Sequence, residues 1–312
     1  MKSIKELCTR VFTVGVKRLL ILLLILGCIV IPMMAVQVFI DIRTFELGQH
    51  DEDISQQRFY QGTPLHDEIL DNLPLVDFKL VGMSLSDIFL NSFIGISIVY
   101  FLVHPVARQD RTLLLRRTVA LVGSAYFLRI FTILFTRLPG SVKDCKVDDF
   151  KGISYLERMI NISASCTDMI YSGHTCMAMV LLWGWLVNSA PHITAKIYAC
   201  LHVFTAIIFF FLNRLHYTVD ITLGIYISFF LTTIYSLSLR IVDHNDQLLD
   251  HSAKSSETLM KPSKESFITK SIRWIELRNM SVLENEMELH ELEFSSQQST
   301  PELESVKEDK SE

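Results

Sequence analysis

Two histidines, His174 and His216, are the strongest candidates for catalytic residues in this sequence because of the residues next to them. His174 follows Ser172 and Gly173, and His216 opens a short run that ends at Asp220. Two long apolar stretches lie between the histidines, so the chain would cross a bilayer twice and return both imidazoles to the same side. Two imidazoles and a carboxylate at one face of a membrane predict phosphate-ester chemistry on lipids.

The spacing also predicts how these groups would work together. His216 and Asp220 are four residues apart, so on a helix their side chains would share one face. A carboxylate bonded to one ring nitrogen fixes the tautomer and leaves the other nitrogen free to attack phosphorus. His174 begins a predicted helix, and the backbone N–H groups of a first turn attract anions. The pattern therefore predicts a nucleophile, an orienting acid, an acid/base imidazole and a phosphate cradle.

Two other interpretations of these residues stay open at this point. A single histidine at a membrane interface is most often an amphipathic side chain at the water boundary, with no catalytic role. A zinc site is the second alternative, because two imidazoles and a carboxylate can hold that ion. Catalysis without a metal or another cofactor is favoured by three features. The two histidines are predicted on the same side of the membrane, Asp220 can partner His216, and Ser-Gly precedes His174.

The composition is that of a multi-pass membrane protein. Half of the 312 residues are hydrophobic and the mean hydropathy is +0.33, which is too apolar for an ordinary soluble domain. Apolar runs close to the roughly 20 residues that cross hydrocarbon lie at about 19–40, 83–104, 118–136, 174–190, 196–213 and 218–239. We therefore predict an all-α fold with six transmembrane helices and a largely disordered C-terminal tail.

Charge near the ends of these runs predicts the orientation. Basic residues precede the first run and crowd the loop after the second, whereas the 41–82 loop is mostly acidic. Both termini are therefore expected in the cytoplasm, with the two histidines on the lumenal or exoplasmic face. The predicted divisions are a cytoplasmic N-terminus (1–18), a six-helix catalytic domain (19–240) and a cytoplasmic tail (241–312) that is too polar to bury a core.

Three blocks resemble the signatures of the sphingomyelin synthases, which are related to the lipid phosphate phosphatases. Two of them are the Ser-Gly-His-Thr run at Ser172 and the His-Tyr-Thr-Val-Asp run at His216. The third block comprises Arg116-Arg117, Gly123, Tyr126 and Arg129, followed by Leu138-Pro139-Gly140. Their order and spacing agree over about 100–240. The chain departs from the family at its Pro-Pro-Leu-Pro-Asp motif, which is Leu73-Pro74-Leu75-Val76-Asp77 here, and at Thr167, where a glycine is usual.

The resemblance implies an enzyme that transfers phosphocholine from phosphatidylcholine to the primary hydroxyl of ceramide, giving sphingomyelin and diacylglycerol. It implies that His216 attacks phosphorus and becomes a phosphohistidine, that Asp220 orients His216, and that His174 protonates diacylglycerol and then deprotonates ceramide. Because the motifs depart from the family pattern, phosphoethanolamine and phosphoinositol transfer remain alternatives. A lipid phosphate phosphatase, and a lipid binder without activity, also remain open.

The same resemblance implies an enzyme of the Golgi or plasma membrane, with the endoplasmic reticulum as the alternative. Its partners would be the phospholipid donor and the ceramide acceptor, with no nucleic acid and with self-association left open. Cys145 and Cys166 share a predicted lumenal loop, where both a disulfide and two free thiols are open.

Four more residues complete the predicted substrate site: Tyr126, Arg129, Asp168 and Ser172. Arg129 lies about twelve residues, or roughly 18 Å, into the third run, where a charge is costly unless it faces a cavity or a partner. We interpret it as a phosphate ligand, with a structural ion pair as the alternative. Asp168 would assist the site or cap a helix. Arg116 and Arg117 are expected to be cytoplasmic anchors, although they belong to the third block.

Overall fold

The computed structural model describes residues 2–50, 66–76, 79–80, 83–103, 112–136, 170–187, 193–214, 216–254 and 266–276, with side chains of the first helix described over 13–40. The described helices are α1 (Lys2–His50), α2 (Glu68–Asn72), α3 (Leu85–Val103), α4 (Leu113–Phe135), α5 (Gly173–Val187), α6 (Ile193–Leu212), α7 (Thr218–Lys254) and α8 (Phe267–Glu276). The strands β1 (Lys79–Leu80) and β2 (Met83–Ser84) form one short antiparallel pair, with Lys79 opposite Ser84. The helical class predicted from the sequence is confirmed.

Among the described residues, five helical segments are long and apolar enough to cross a membrane. They are Thr13–Ile40 of α1, the helices α3, α4 and α6, and Thr218–Gln247 of α7. A helix suits such apolar runs because it pairs its own backbone groups where no water is present. The remaining predicted run, 174–190, corresponds to α5, whose 15 residues extend only about 22 Å against the roughly 30 Å of hydrocarbon. The predicted count of six spans is therefore not confirmed.

Helix α5 lies among α3, α4 and α6, while α1 packs along α4. Small residues allow the closest of these contacts. A Cβ at Gly184 would lie 2.8 Å from Cζ of the fully buried Phe101 ring in α3. On the other side of α5, a Cβ at Gly224 of α7 would lie 3.0 Å from Cβ of Thr175. The core between α3, α5 and α6 also contains Trp185, whose indole N–H donates to the Ser97 hydroxyl at 2.9 Å.

The chain beyond Leu237 forms a second compact unit, Ser238–Glu312. Within it α7 continues to Lys254, and α8 buries Ile272 and Ile275, which its helical spacing places on one face. These described parts of the predicted tail are helical, and the expectation of a largely disordered tail is not confirmed. The predicted boundary between 240 and 241 lies inside α7, and the three-part division of the chain stays a prediction.

Arg116 and Arg117 are packed inside the protein at the start of α4. Arg116 is fully buried and Arg117 is 8% exposed. The Arg116 guanidinium donates to the hydroxyl of Thr112, one turn earlier. An interfacial anchor keeps its charged end in water, so the burial of both residues argues against their role as anchors, and their cytoplasmic side stays a prediction.

Candidate active site

The structure places His174 and His216 side by side. Their ring centroids are 5.8 Å apart, because the second residue of α5 lies beside the turn that joins α6 to α7. The His174 ring also contacts Phe210 of α6, at a centroid distance of 5.9 Å. The two imidazoles differ in their access to solvent, since the His174 side chain is 40% exposed and His216 only 5%. One imidazole can therefore exchange protons with the surroundings while the other is sheltered.

The first turn of α5 is fixed by Tyr171 and Ser172. Tyr171 has a positive φ of 36°, and its buried hydroxyl donates to the carbonyl of Ala125 in α4. Ser172 is the N-cap, because its Oγ accepts the N–H of Thr175 at 3.1 Å. Its own N–H donates to the Asp220 carbonyl at 3.0 Å, which joins the start of α5 to that of α7. Ser172 is fully buried, so it acts through the backbone geometry of the site, and direct contact with a substrate stays a prediction.

Gly173 allows the Arg129 side chain to reach the start of α5. A Cβ on Gly173 would overlap a guanidinium nitrogen and would lie 3.2 Å from both Arg129 Cζ and Tyr126 Cε1. Arg129 is 6% exposed within α4, and Tyr126 lies one turn before it on the same face. The guanidinium therefore lies against a helix N-terminus, where the first N–H groups have no partner within the helix. Both features attract an anion, so the arrangement is suited to a phosphate, and the predicted binding of one by Arg129 stays a prediction.

The structure does not place His216 and Asp220 on one helical face. His216 lies in the turn before α7, which begins at Thr218. Tyr217 is the N-cap, and its N–H donates to Asp220 Oδ2 at 3.0 Å, as in a capping box. Within the described part of the chain, Nδ1 of His216 has no hydrogen-bond partner. The fully buried Asp220 therefore holds the backbone of Tyr217, the residue after His216. A direct bond from Asp220 to the His216 imidazole stays a prediction.

Burial sets the charge state of His216. Desolvation first, and then the positive charges of His174 and Arg129, lower the pKa of His216 well below 6.5. A neutral imidazole has a ring nitrogen with a free lone pair, which is the form that can attack phosphorus. The Arg129 charge thus adds to the effect of burial, which is the main reason that the neighbouring imidazole is neutral.

Asp87 is a member of this site that the sequence did not reveal. Its Oδ1 lies 3.5 Å from Nε2 of His174, and its Oδ2 accepts the Ser84 hydroxyl at 2.6 Å. The Asp87 N–H donates back to Ser84 Oγ at 3.2 Å, so Ser84 and Asp87 cap the start of α3. The Ser-x-x-Asp spacing was visible as a capping signal, but its contact with His174 depends on how α3 packs beside α5.

Several predicted residues cannot be placed in this site. Asp168, Cys145 and Cys166 lie outside the described residues. Cys28, Cys176 and Cys200 are free thiols. Among the residues whose positions are described, no group of three or more His, Cys, Asp or Glu side chains could hold a metal ion.

Two comparisons with known proteins bear on this site. A family described as PAP2 superfamily C-terminal matches residues 165–237, the stretch that contains His174, His216 and Asp220. The chain is also 27% identical over 189 residues to a Caenorhabditis elegans protein named Sphingomyelin synthase-related 1. This match covers 53% of the chain and 36% of the relative, so the chain spans only about a third of that protein's length.

Proposed function

From the relationship of this chain to the sphingomyelin synthases and the PAP2 superfamily, we propose that it transfers the phosphocholine headgroup of phosphatidylcholine to ceramide. The predicted family is confirmed by both matches, which also support the coarser function of a membrane-integral lipid phosphotransferase or phosphatase. The choice of donor and acceptor comes from the resemblance of the motifs. The observation that carries the proposal is the pair of imidazoles beside the N-terminus of α5, with the Arg129 guanidinium against its first residue.

In the first step, the neutral imidazole of His216 attacks the donor phosphorus. A P–N bond forms while the P–O bond to diacylglycerol breaks, and His174 donates the proton that the departing alkoxide needs. Arg129 and the first N–H groups of α5 stabilise the negative charge on the phosphoryl oxygens. Asp87, 3.5 Å from His174, orients that imidazole, as the carboxylate of a triad does.

In the second step, the primary hydroxyl of ceramide attacks the phosphohistidine. His174 takes the hydroxyl proton, the new P–O bond forms, and the P–N bond breaks to return neutral His216. Water is the competing acceptor, and its attack would make the protein a phosphatase. The 5% exposure of His216 supports transfer over hydrolysis, because a sheltered intermediate reacts with lipid that reaches it through the bilayer.

The proposed enzyme spans the membrane six times, with α5 as the fourth span. Both termini are cytoplasmic, and the histidine pair faces the lumen of the Golgi or the outside of the plasma membrane. The basic residues around the first two apolar runs support this orientation. A tag at the C-terminus would then be digested by protease added to sealed microsomes, whereas protection of that tag would contradict the orientation.

The function is tested with purified protein, fluorescent ceramide, and phosphatidylcholine, phosphatidylethanolamine or phosphatidylinositol as the only donor. We expect fluorescent sphingomyelin with the first donor and a loss of product of several orders of magnitude in His216→Ala. His244→Ala is the matched control, because this exposed histidine lies at the far end of α7. Release of free phosphocholine or phosphate with no ceramide product would favour the phosphatase, and product with another donor would correct the headgroup.

A further inference from the structure

The turn that carries His216 is held by a short segment from before the second span. This clamp segment, residues 66–76, comprises α2 and its flanking residues. Asn213 Nδ2 donates to the Val76 carbonyl at 2.6 Å, and the Val76 N–H donates to the Leu212 carbonyl at 2.9 Å. The same Asn213 accepts the N–H of Ser86, at the start of α3, at 3.3 Å. The clamp segment is thus attached directly to the end of α6.

A second attachment lies one residue further, at Arg214. Its φ of 50° is in the left-handed region, which residues other than glycine adopt only when the surroundings hold them there. The Arg214 guanidinium donates to the carbonyls of Leu70 and Leu73 in the clamp segment, at 3.0 and 3.3 Å. The sharp reversal two residues before His216 is therefore fixed by the clamp segment.

The third attachment follows His216 and is made by Asp67. Its two carboxylate oxygens accept the Thr218 N–H at 2.8 Å and the Thr218 hydroxyl at 2.7 Å. Asp67 Oδ1 also accepts two N–H groups from the first turn of α2, so one carboxylate caps two helices. Burial alone would raise the pKa of Asp67, but the hydrogen bonds from Thr218 and from α2 together lower it below 3.8.

Apolar contacts cover the residue beside His216. Leu70 of the clamp segment and Tyr217 are each only 3% exposed and pack together against Phe211. Two of the three hydrogen-bonded attachments therefore precede His216 in sequence and the third follows it, and the apolar contact lies on its immediate neighbour. Without the clamp segment, the turn that carries His216 would lose these hydrogen bonds and this apolar contact.

We propose that Asp67 is a positioning residue for His216, and that the clamp segment excludes water from the phosphohistidine so that the headgroup passes to ceramide. This inference rests on the proposed function. In the suppressed reaction a water oxygen bonds to phosphorus while the P–N bond breaks. One water proton passes to His174, and free phosphocholine leaves. Transfer differs only in that the attacking oxygen belongs to ceramide.

The test compares Asp67→Ala with Thr218→Val, which removes only the hydroxyl bond and keeps the N–H bond. Both products, sphingomyelin and free phosphocholine, are measured from the same labelled phosphatidylcholine. For Asp67→Ala we expect kcat for transfer to fall on the order of tenfold to a hundredfold, as a displacement of about 1 Å would cause. The KM for the donor should stay within about twofold, because the phosphate contacts at Arg129 remain. The share of free phosphocholine should rise by a similar factor.

Glu68→Ala is the matched control, since the side chain of this exposed neighbour makes no hydrogen bond to the residues that the structure describes; Asn72 Nδ2 donates to its backbone carbonyl. It should behave as wild type. The double variant Asp67→Ala/Thr218→Val should lose no more than Asp67→Ala alone, because both changes act through the same contact. Additive losses, or an unchanged product ratio in folded Asp67→Ala, would overturn the inference.

Tryptic cleavage after Arg214 separates this inference from the proposed function. The bond should resist trypsin in detergent-solubilised wild type and be cut faster in Asp67→Ala, with cleavage sites identified by mass spectrometry. If wild type makes no sphingomyelin from any donor, the proposed function fails and cleavage alone decides the clamp. Equal cleavage in the two proteins would then overturn the clamp as well.

Discussion

Replacing Gly173 by alanine tests whether Arg129 must lie against the first turn of α5. The added carbon would lie 3.2 Å from Arg129 Cζ and 3.2 Å from Tyr126 Cε1, and it would overlap a guanidinium nitrogen. Favourable carbon–carbon contacts begin at about 3.5 Å, so the guanidinium has to move away from the site. The perturbation is thus directed at one charged group and leaves both imidazoles in place.

The expected effects on stability and on activity differ in size. Alanine in a helix is favoured over glycine by roughly 0.5–1 kcal/mol, and this gain offsets part of the cost of moving a flexible side chain. The free energy of unfolding should therefore change by no more than about 1 kcal/mol. Loss of one pre-organised donor to a transition-state oxyanion typically costs about 2.7–4 kcal/mol. We therefore expect kcat for headgroup transfer to fall on the order of 100- to 1,000-fold.

The assay is transfer to fluorescent ceramide, with thermal unfolding of the same preparations measured in detergent. Gly95→Ala in α3 is the control, because nothing lies within 4 Å of a Cβ at that position, and it should keep full activity. A Gly173→Ala protein with activity within about threefold of wild type would refute the argument that Arg129 acts from this position. A large loss of thermal stability in Gly173→Ala would also refute the argument that the change is local.

Three further predictions follow from the burial of His216, the contact at Gly184 and the composition of the tail. Because burial keeps the folded-state pKa of His216 well below 6.5, acidification below pH 6.5 protonates the unfolded chain first. The free energy of unfolding should then fall by up to about 1.4 kcal/mol per pH unit, and denaturant titrations should show a shallower fall in His216→Gln. Gly184→Ala places a Cβ 2.8 Å from the fully buried Phe101 ring, so thermal unfolding should show a loss of about 1–3 kcal/mol with normal specific activity of the folded fraction. Deletion from about residue 250 onward should leave transfer in detergent micelles within a factor of a few, because the family match ends at residue 237, and a loss as large as that of His216→Ala would show that the tail belongs to the catalytic unit.

The sequence predicted a multi-pass membrane protein and the proximity of the two histidines. Both predictions need only the length and the number of apolar runs, which can be read from the sequence. Apolar runs of spanning length identify helices directly, and the even number of runs between His174 and His216 predicts that both lie on one side of the membrane. The same counting predicted a span at 174–190, where the structure describes α5 over Gly173–Val187, and that span is not confirmed. Arg129 could be singled out because a charge within an apolar run needs a partner.

Residues whose roles depend on packing between distant segments were not predictable in the same way. Asp87 looks like an ordinary capping residue until α3 is placed beside His174, and Asp67 until α2 is placed beside Thr218. The helical spacing of His216 and Asp220 was misleading, because Tyr217 caps α7 and leaves His216 outside the helix. A periodicity argument assumes that the helix has already begun, and the capping contact decides where it begins.

The most direct test of the central claim is to identify the residue that carries the headgroup between donor and acceptor. Purified protein is incubated with phosphatidylcholine labelled in its choline, without ceramide, and quenched in alkali, where a P–N bond of phosphohistidine survives. The peptides are then mapped by mass spectrometry. We predict a phosphocholine adduct on His216 that is lost when ceramide is added and that is missing in His216→Ala. An adduct on any other residue, or one that persists in His216→Ala, would contradict the account.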